Sequence, residues 1–284
     1  MDKKYLEFLE TKQKTHVFSG FDIEESELNK DMFPFQKFIT KRALKAGKYA
    51  IFADCGLGKT LMQLEWANQV NKNTGKPVLI LAPLAVGGQT IKEGKKFKID
   101  VCKYDGSNSP IQISNYEQLE NIDTTIFSGI VLDESSILKN FEGATKKLIL
   151  DLFKDTPYKL ACTATPSPND PMELGNHSEF LDVMSRNEML AMYFVHDGGE
   201  TAKWRIKGHA IKLFYQFDWV KITPEMGVIE TGTTPNIKAS FKRLMPKWPH
   251  FIKSVIFCRM MLTILKLSCF TIRKVLALLL KRLP

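Results

Sequence analysis

Ala53-Asp54-Cys55-Gly56-Leu57-Gly58-Lys59-Thr60, answered seventy-four residues beyond its lysine by Ile130-Val131-Leu132-Asp133-Glu134, decides the fold of this 284-residue chain. The first stretch is a phosphate-binding loop. Gly56 and Gly58 allow a tight backbone turn in which successive N–H groups converge on phosphate oxygens. Lys59 adds a point charge, and the Thr60 hydroxyl is a ligand for the Mg²⁺ of a bound nucleotide. The helix that starts there contributes its positive end. The second stretch is the complement: Asp133 holds the metal through its water shell, and Glu134 orients and deprotonates the attacking water. Lys59, Asp133 and Glu134 are the expected catalytic residues. The turn from Asp54 through Cys55, Gly56, Leu57, Gly58 and Lys59 to Thr60 is the expected nucleotide cradle, with ATP and Mg²⁺ as cofactors. Alone, the two glycines would suit a surface turn, and the acidic pair a solvated strand end. Their context argues otherwise, because Tyr49–Phe52 is an apolar strand candidate and Leu61, Met62, Leu64, Ala67 and Val70 recur at helical spacing.

Outward from the loop, strand candidates alternate with helical patterns at Val78–Ala82, Ile111–Ser114, Ile130–Leu132 and Tyr158–Cys162. Strands with helices between them imply crossovers, hence a parallel α/β sheet covered by helices on both faces. Asp54, Pro83, Asn115, Asp133 and Thr163 fall just beyond the carboxyl ends of these runs, where open α/β sheets bind ligands. The order of the strands is not readable from this pattern.

Composition sets outer limits. With 44% apolar and 25% charged residues, the chain has the make-up of a globular protein with a sizeable core. Five cysteines at 55, 102, 162, 258 and 269 form no Cys-x-x-Cys pair, and the five histidines form no His-Glu-x-x-His. Neither a structural zinc site nor a disulfide framework is indicated, and a reducing cytoplasm is the expected location. The N-terminal residues lack the apolar core of a secretion signal, and no uncharged stretch reaches the length of a membrane span. The net charge of +9 is unevenly placed: residues 1 to 230 hold 29 Lys+Arg against all 31 Asp+Glu, while the last 54 residues hold 11 Lys+Arg and no carboxylate. The basic pI describes a tail rather than the body, so charge does not choose between DNA and RNA.

The ordered segments from about Met32 to Gly208 resemble the first RecA-like lobe of a superfamily 2 helicase or DNA translocase, of the chromatin-remodeller-related type often carried by bacteriophages and prophages. Phe33-Pro-Phe-Gln36 resembles the upstream glutamine motif, in which the Gln36 amide would read the adenine edge. Asp54–Thr60 is similar to motif I, Leu81–Val86 to motif Ia, and Ile113–Glu117 to the segment that lines the nucleic-acid track. Val131–Ser136, continuing to Lys139-Asn140, resembles motif II, with Ser135-Ser136 where many relatives have Ala-His. Thr163-Ala-Thr-Pro166 resembles motif III, which implies that Thr163 and Thr165 couple the nucleotide site to the strand; a strand end with a turn before Pro166 is the structural alternative. Val195–Trp204 and Lys207–His209 are similar to an insertion of the phage-type members. Trp204, Arg205, Lys207 and His209 suit stacking on a nucleic-acid strand, and simple packing suits Trp204 equally.

The resemblance implies a RecA-like P-loop NTPase lobe at 31–215, after an N-terminal extension at 1–30 and before an irregular or helical basic tail at 216–284. It implies ATP-dependent helicase or translocase activity on nucleic acid, DNA being the expected form, in the cytoplasm of a bacterial host if the gene is a phage's. The alternatives are another P-loop NTPase, such as a nucleotide kinase, and a non-catalytic nucleotide-binding protein. In such motors arginines from a second lobe stabilise the developing γ-phosphate charge. About 75 residues follow Gly208, fewer than a usual α/β lobe, and they carry no segment of second-lobe type. A second lobe encoded separately or in another frame is therefore expected. The tail is read either as the product of a truncated or shifted frame, which is preferred, or as a basic amphipathic helix with Arg259, Lys266, Arg273 and Lys281 along one stripe.

Overall fold

The computed structural model describes residues 18–53, 55–140, 143–167, 169–196, 198 and 204–208, and the backbone of three strands at 217–222, 228–234 and 254–258. Strand β1, Lys48–Ala53, is apolar after its first residue and leads into the loop. Ahead of it, helix α1 spans Pro34–Ala46: Pro34 occupies the first helical position, where its missing N–H is harmless, and Gly47 ends the helix at φ 77°. Behind the loop, helix α2 spans Lys59–Thr74 and stops at Gly75, φ 68°. Then come β2 (Val78–Ala82), α3 (Gly87–Lys96), β3 (Cys102–Lys103), β4 (Ile111–Asn115), β5 (Gly129–Asp133), α4 (Ala144–Leu152), β6 (Tyr158–Thr163), α5 (Leu174–Phe180) and α6 (Arg186–Tyr193).

Strands β1 to β6 form a parallel sheet in the order β1-β6-β5-β2-β4-β3. Residue alternation along the strands builds two cores. Ile51, Ile80, Val131, Leu160 and Cys162 pack with α1 and α2, including fully buried Trp66. Ala50, Phe52, Leu79, Leu81, Ile130, Leu132 and Ala161 pack on the other face with Phe153, Phe180 and Met189. Each fully buried aliphatic or aromatic side chain contributes about 1.5–3 kcal/mol. A one-residue slip would exchange the two sets, so the register is firmly specified. The parallel α/β sheet with helices on both faces is thus the architecture expected from sequence.

Two features add to that expectation. A short antiparallel pair, β7 (Phe194–His196) and β8 (Trp204–Ile206), stands apart from the main sheet. In the segment expected to be irregular or helical, the described residues are strands: β9 (Phe217–Ile222), β10 (Val228–Thr234) and β11 (Ser254–Cys258). They extend the sheet as β10-β9-β11-β1, with β11 antiparallel to β1 and Ala53 opposite Val255. The tail expectation is amended to that extent. Val255-Ile-Phe257 is an apolar, partly β-branched run of the kind that fits a pleated surface. The Arg259–Lys281 stripe lies outside the described residues. Among the described residues, no helix is long and apolar enough to cross a membrane.

Candidate functional site at the carboxyl edge of the sheet

The loop between β1 and α2 is shaped by two left-handed glycines, Gly56 at φ 79° and Gly58 at φ 74°. Gly58 is the N-cap of α2 and no side chain caps it, which leaves the first-turn N–H groups to whatever enters the loop. A Cβ on Gly58 would lie 2.3 Å from the Gln36 Nε2. Leu57 is buried and anchors the turn. Its carbonyl accepts a 3.0 Å hydrogen bond from the Gln36 amide nitrogen, while the Gln36 amide oxygen accepts the Phe33 N–H at 2.9 Å. Gln36 therefore staples the loop to the start of α1, and both ends of its amide are engaged there. Lys59 folds back so that its ammonium donates to the Ala53 carbonyl at 2.8 Å. Cys55 is exposed, Thr60 half-buried at the helix start, and Asp54 lies outside the described residues.

Strand β6 lies between β1 and β5, and this explains how the acidic pair reaches the loop. Asp133 is level with Cys162 across β5 and β6, and Phe52 is level with Thr163 across β1 and β6. Gln63, one turn into α2 from Lys59 and completely buried, donates its amide N–H to the Asp133 Oδ1 at 2.9 Å. Burial pushes the Asp133 carboxyl up; the Gln63 hydrogen bond opposes this, the neighbouring Glu134 reinforces it, and the Lys59 charge opposes it. Burial also pushes up the Cys162 thiol behind it, with Asp133 adding to the effect, so the thiol stays protonated. The Tyr116 hydroxyl donates to the Asp133 carbonyl at 2.8 Å.

Glu134 sits in the left-handed region, φ 66° and ψ 59°, a costly conformation for a side-chain-bearing residue. Its Oε1 accepts hydrogen bonds from the hydroxyls of Thr163 and, at 3.0 Å, Ser136. Thr165 joins through its backbone, donating its N–H to the Thr163 hydroxyl at 3.0 Å. The chain after Glu134 is held from below. Ser135 hydrogen-bonds the Nε2 of fully buried His177 at 3.1 Å, and Asn176 donates to the Leu138 carbonyl at 2.7 Å while Lys146 holds the Asn176 oxygen at 2.9 Å. Desolvation lowers the His177 pKa to about 4, so that the ring is neutral at physiological pH.

Lys59, Thr60, Asp133, Glu134, Thr163 and Thr165 are thus brought to one edge, with Gln36 behind the loop. Pro83 and exposed Leu84, at the end of β2, separate two neighbouring grooves of about 430 and 570 Å³, the first walled by Tyr116, Glu134 and Lys139, the second by Asn115, Gln118 and Lys103. The hairpin residue Trp204 meets His196 edge to face at 5.0 Å, and Lys207 donates to the Ala191 carbonyl at 2.6 Å; His209 lies outside the described residues. Tyr116 and Ser136 lay inside quoted segments without a role of their own, and Gln63, Asn176 and His177 were not singled out by motif. A signal for Gln63 exists: it is polar among Leu61, Met62 and Leu64, four residues from Lys59 and so on the same helical face.

The donor set fits a nucleotide with a hard divalent cation. Thr60 and Asp133 offer oxygen, which suits Mg²⁺, and the uncapped start of α2 with its two positive-φ glycines is a cradle for phosphate.

No family model matches the chain. Over 164 residues it is 28% identical to the SWI/SNF-related matrix-associated actin-dependent regulator of chromatin subfamily A-like protein 1 of Xenopus tropicalis, covering 53% of this chain and 17% of that protein. The Caenorhabditis elegans homolog of that protein is 27% identical over 172 residues, 53% of this chain and 24% of its own length. The solved Sulfolobus solfataricus SWI2/SNF2 ATPase core in complex with dsDNA matches with a TM-score of 0.53 at 22% identity, over 60% of this chain and 40% of that one. The chain spans 17% and 24% of the length of these relatives. Its fold is that of a RecA-like lobe, as in SWI2/SNF2 ATPase cores.

Proposed function

We propose that this chain is the nucleotide-binding first lobe of a nucleic-acid-dependent ATPase of helicase or translocase type. The observation that carries the reading is the proximity of the Lys59 loop to the acidic pair: Gln63 of α2 bonds the Asp133 carboxylate, and the Lys59 charge acts on that same carboxyl. In the bound state Lys59 leaves the Ala53 carbonyl for the terminal phosphates, and the N–H groups of the loop and of α2 bind the phosphate oxygens. Thr60 and Asp133 would hold Mg²⁺, which would supply neutralisation of the phosphate charge. Glu134, freed from the Thr163 hydroxyl, orients and deprotonates the water. Because Thr163 bonds both Glu134 and the Thr165 backbone, a shift of this segment by bound nucleic acid reaches the base directly. DNA is proposed as the partner because the similar Sulfolobus core was solved with dsDNA.

A second RecA-like lobe would contribute the arginine that this edge lacks among its described side chains. Such an arginine is worth about 10³–10⁵ in rate. The test is ATP hydrolysis with and without double-stranded DNA, by the chain alone and with a second lobe added as a separate polypeptide. The chain alone is expected to hydrolyse near background. DNA stimulation is expected only with the second lobe, and Glu134→Gln removes it. Phosphoryl transfer that ignores DNA would indicate another P-loop enzyme, and nucleotide binding without turnover in any mixture a non-catalytic role. Strong DNA-stimulated hydrolysis by the chain alone contradicts the need for a second lobe.

A further inference from the structure

Gln63 stands on α2, the helix that begins in the phosphate loop, and its side chain reaches the acidic half of the proposed site; nothing in the loop or acidic motifs calls for it. It is completely buried, and its Nε2 is 2.9 Å from the Asp133 Oδ1. Its other end is the informative one: Oε1 is buried with no hydrogen-bond partner among the described residues. A buried amide that leaves its oxygen unpaired destabilises the fold relative to an apolar side chain of similar volume. Turning the amide over would set its oxygen against a carboxylate oxygen, so the orientation with nitrogen towards Asp133 is the one chemistry allows. The polar group at this position is thus accounted for by its bonds to Asp133 and to the neighbouring Cys162 thiol, and not by packing. Because Lys59 and Gln63 are four residues apart on α2, they share one helix face. The same rigid element therefore aims a cation at the phosphates and a donor at the acid.

We infer that Gln63 is a positioning residue for Mg²⁺: by taking Oδ1 of Asp133 it fixes the carboxylate plane and registers the metal-holding acid against the phosphate loop through α2. The inference rests on the nucleotide reading above. Removing an outer partner of a metal-holding group weakens the metal by about 10–100-fold, whereas contacts of phosphate with Lys59 and the backbone do not pass through Gln63.

The experiment is equilibrium binding of a fluorescent ADP to the full chain, in excess Mg²⁺ and in EDTA, for wild type and for Gln63→Met, which keeps the volume and removes the donor. Expected is an EDTA affinity within about twofold of wild type and a loss of about tenfold or more in the gain that Mg²⁺ confers. Gln63→Asn, with an amide one methylene too short to reach, should behave the same way, and decides the matter if thermal melting shows the methionine variant unfolded at assay temperature. An equal loss with and without Mg²⁺ would mean a merely structural glutamine and overturns the inference, as does an unchanged Mg²⁺ gain. Wild-type protein that binds no nucleotide in either condition overturns the nucleotide reading itself, and this inference with it.

Discussion

His177 shows how a residue outside every motif serves the site. It is sealed beneath the turn that follows Glu134, bonded to Ser135 and packed edge-on against Phe52. Burial holds its pKa near 4 against 6.5 for the free side chain. Between those values the unfolded chain binds the proton and the folded chain does not, so stability rises with pH across this window and falls on acidification from 6.5 towards 4. The full swing is about 3 kcal/mol. In thermal melts from pH 4 to 7, His177→Gln should flatten the acid limb relative to wild type; identical slopes would mean that the ring titrates normally. Lys59, Asp133 and Glu134 were legible because their chemistry dictates spacing and residue type at once. His177 and Asn176 were not, because their partners lie 42 and 38 residues away in sequence and leave no local trace. Gln63, whose partner lies 70 residues away, left only the trace of a polar residue on the Lys59 face of an apolar helix.

At the scale of elements, the same division holds. The runs at Tyr49–Phe52, Val78–Ala82, Ile111–Ser114, Ile130–Leu132 and Tyr158–Cys162 became β1, β2, β4, β5 and β6, because buried parallel strands are continuous apolar runs. The two-residue β3 was too short to announce itself, and the order of the strands depends on crossovers rather than on any local pattern. The placement of β6 between β1 and β5 is what lets Thr163 reach Glu134, and no motif encodes it. The turn into α2 is the element most dependent on one residue type. Gly58→Ala puts a side chain at φ 74° and a Cβ 2.3 Å from the Gln36 amide nitrogen. The left-handed penalty is about 1–2 kcal/mol, and the Gln36–Leu57 staple must also give way. Chemical denaturation should show at least that loss, together with weaker nucleotide binding. A variant as stable and as tight as wild type would show that the loop can adopt another turn.

On the scale of the whole molecule, the charge asymmetry read from the sequence finds a partial structural counterpart. The near-neutral body holds the parallel lobe together with β9 and the start of β10, and the carboxylate-free end supplies the rest of β10 and β11; these three strands add to the β1 edge instead of building a second sheet. On the proposed reading, the edge that carries Lys59, Asp133 and Glu134 binds a nucleotide by itself even where turnover needs a second lobe. Calorimetric titration of the full chain with ATP and Mg²⁺, beside Lys59→Ala, tests this most directly. The account predicts one saturable site in wild type and none in the variant, with both proteins melting at the same temperature without ligand. Equal ATP affinity in the two folded proteins would contradict it.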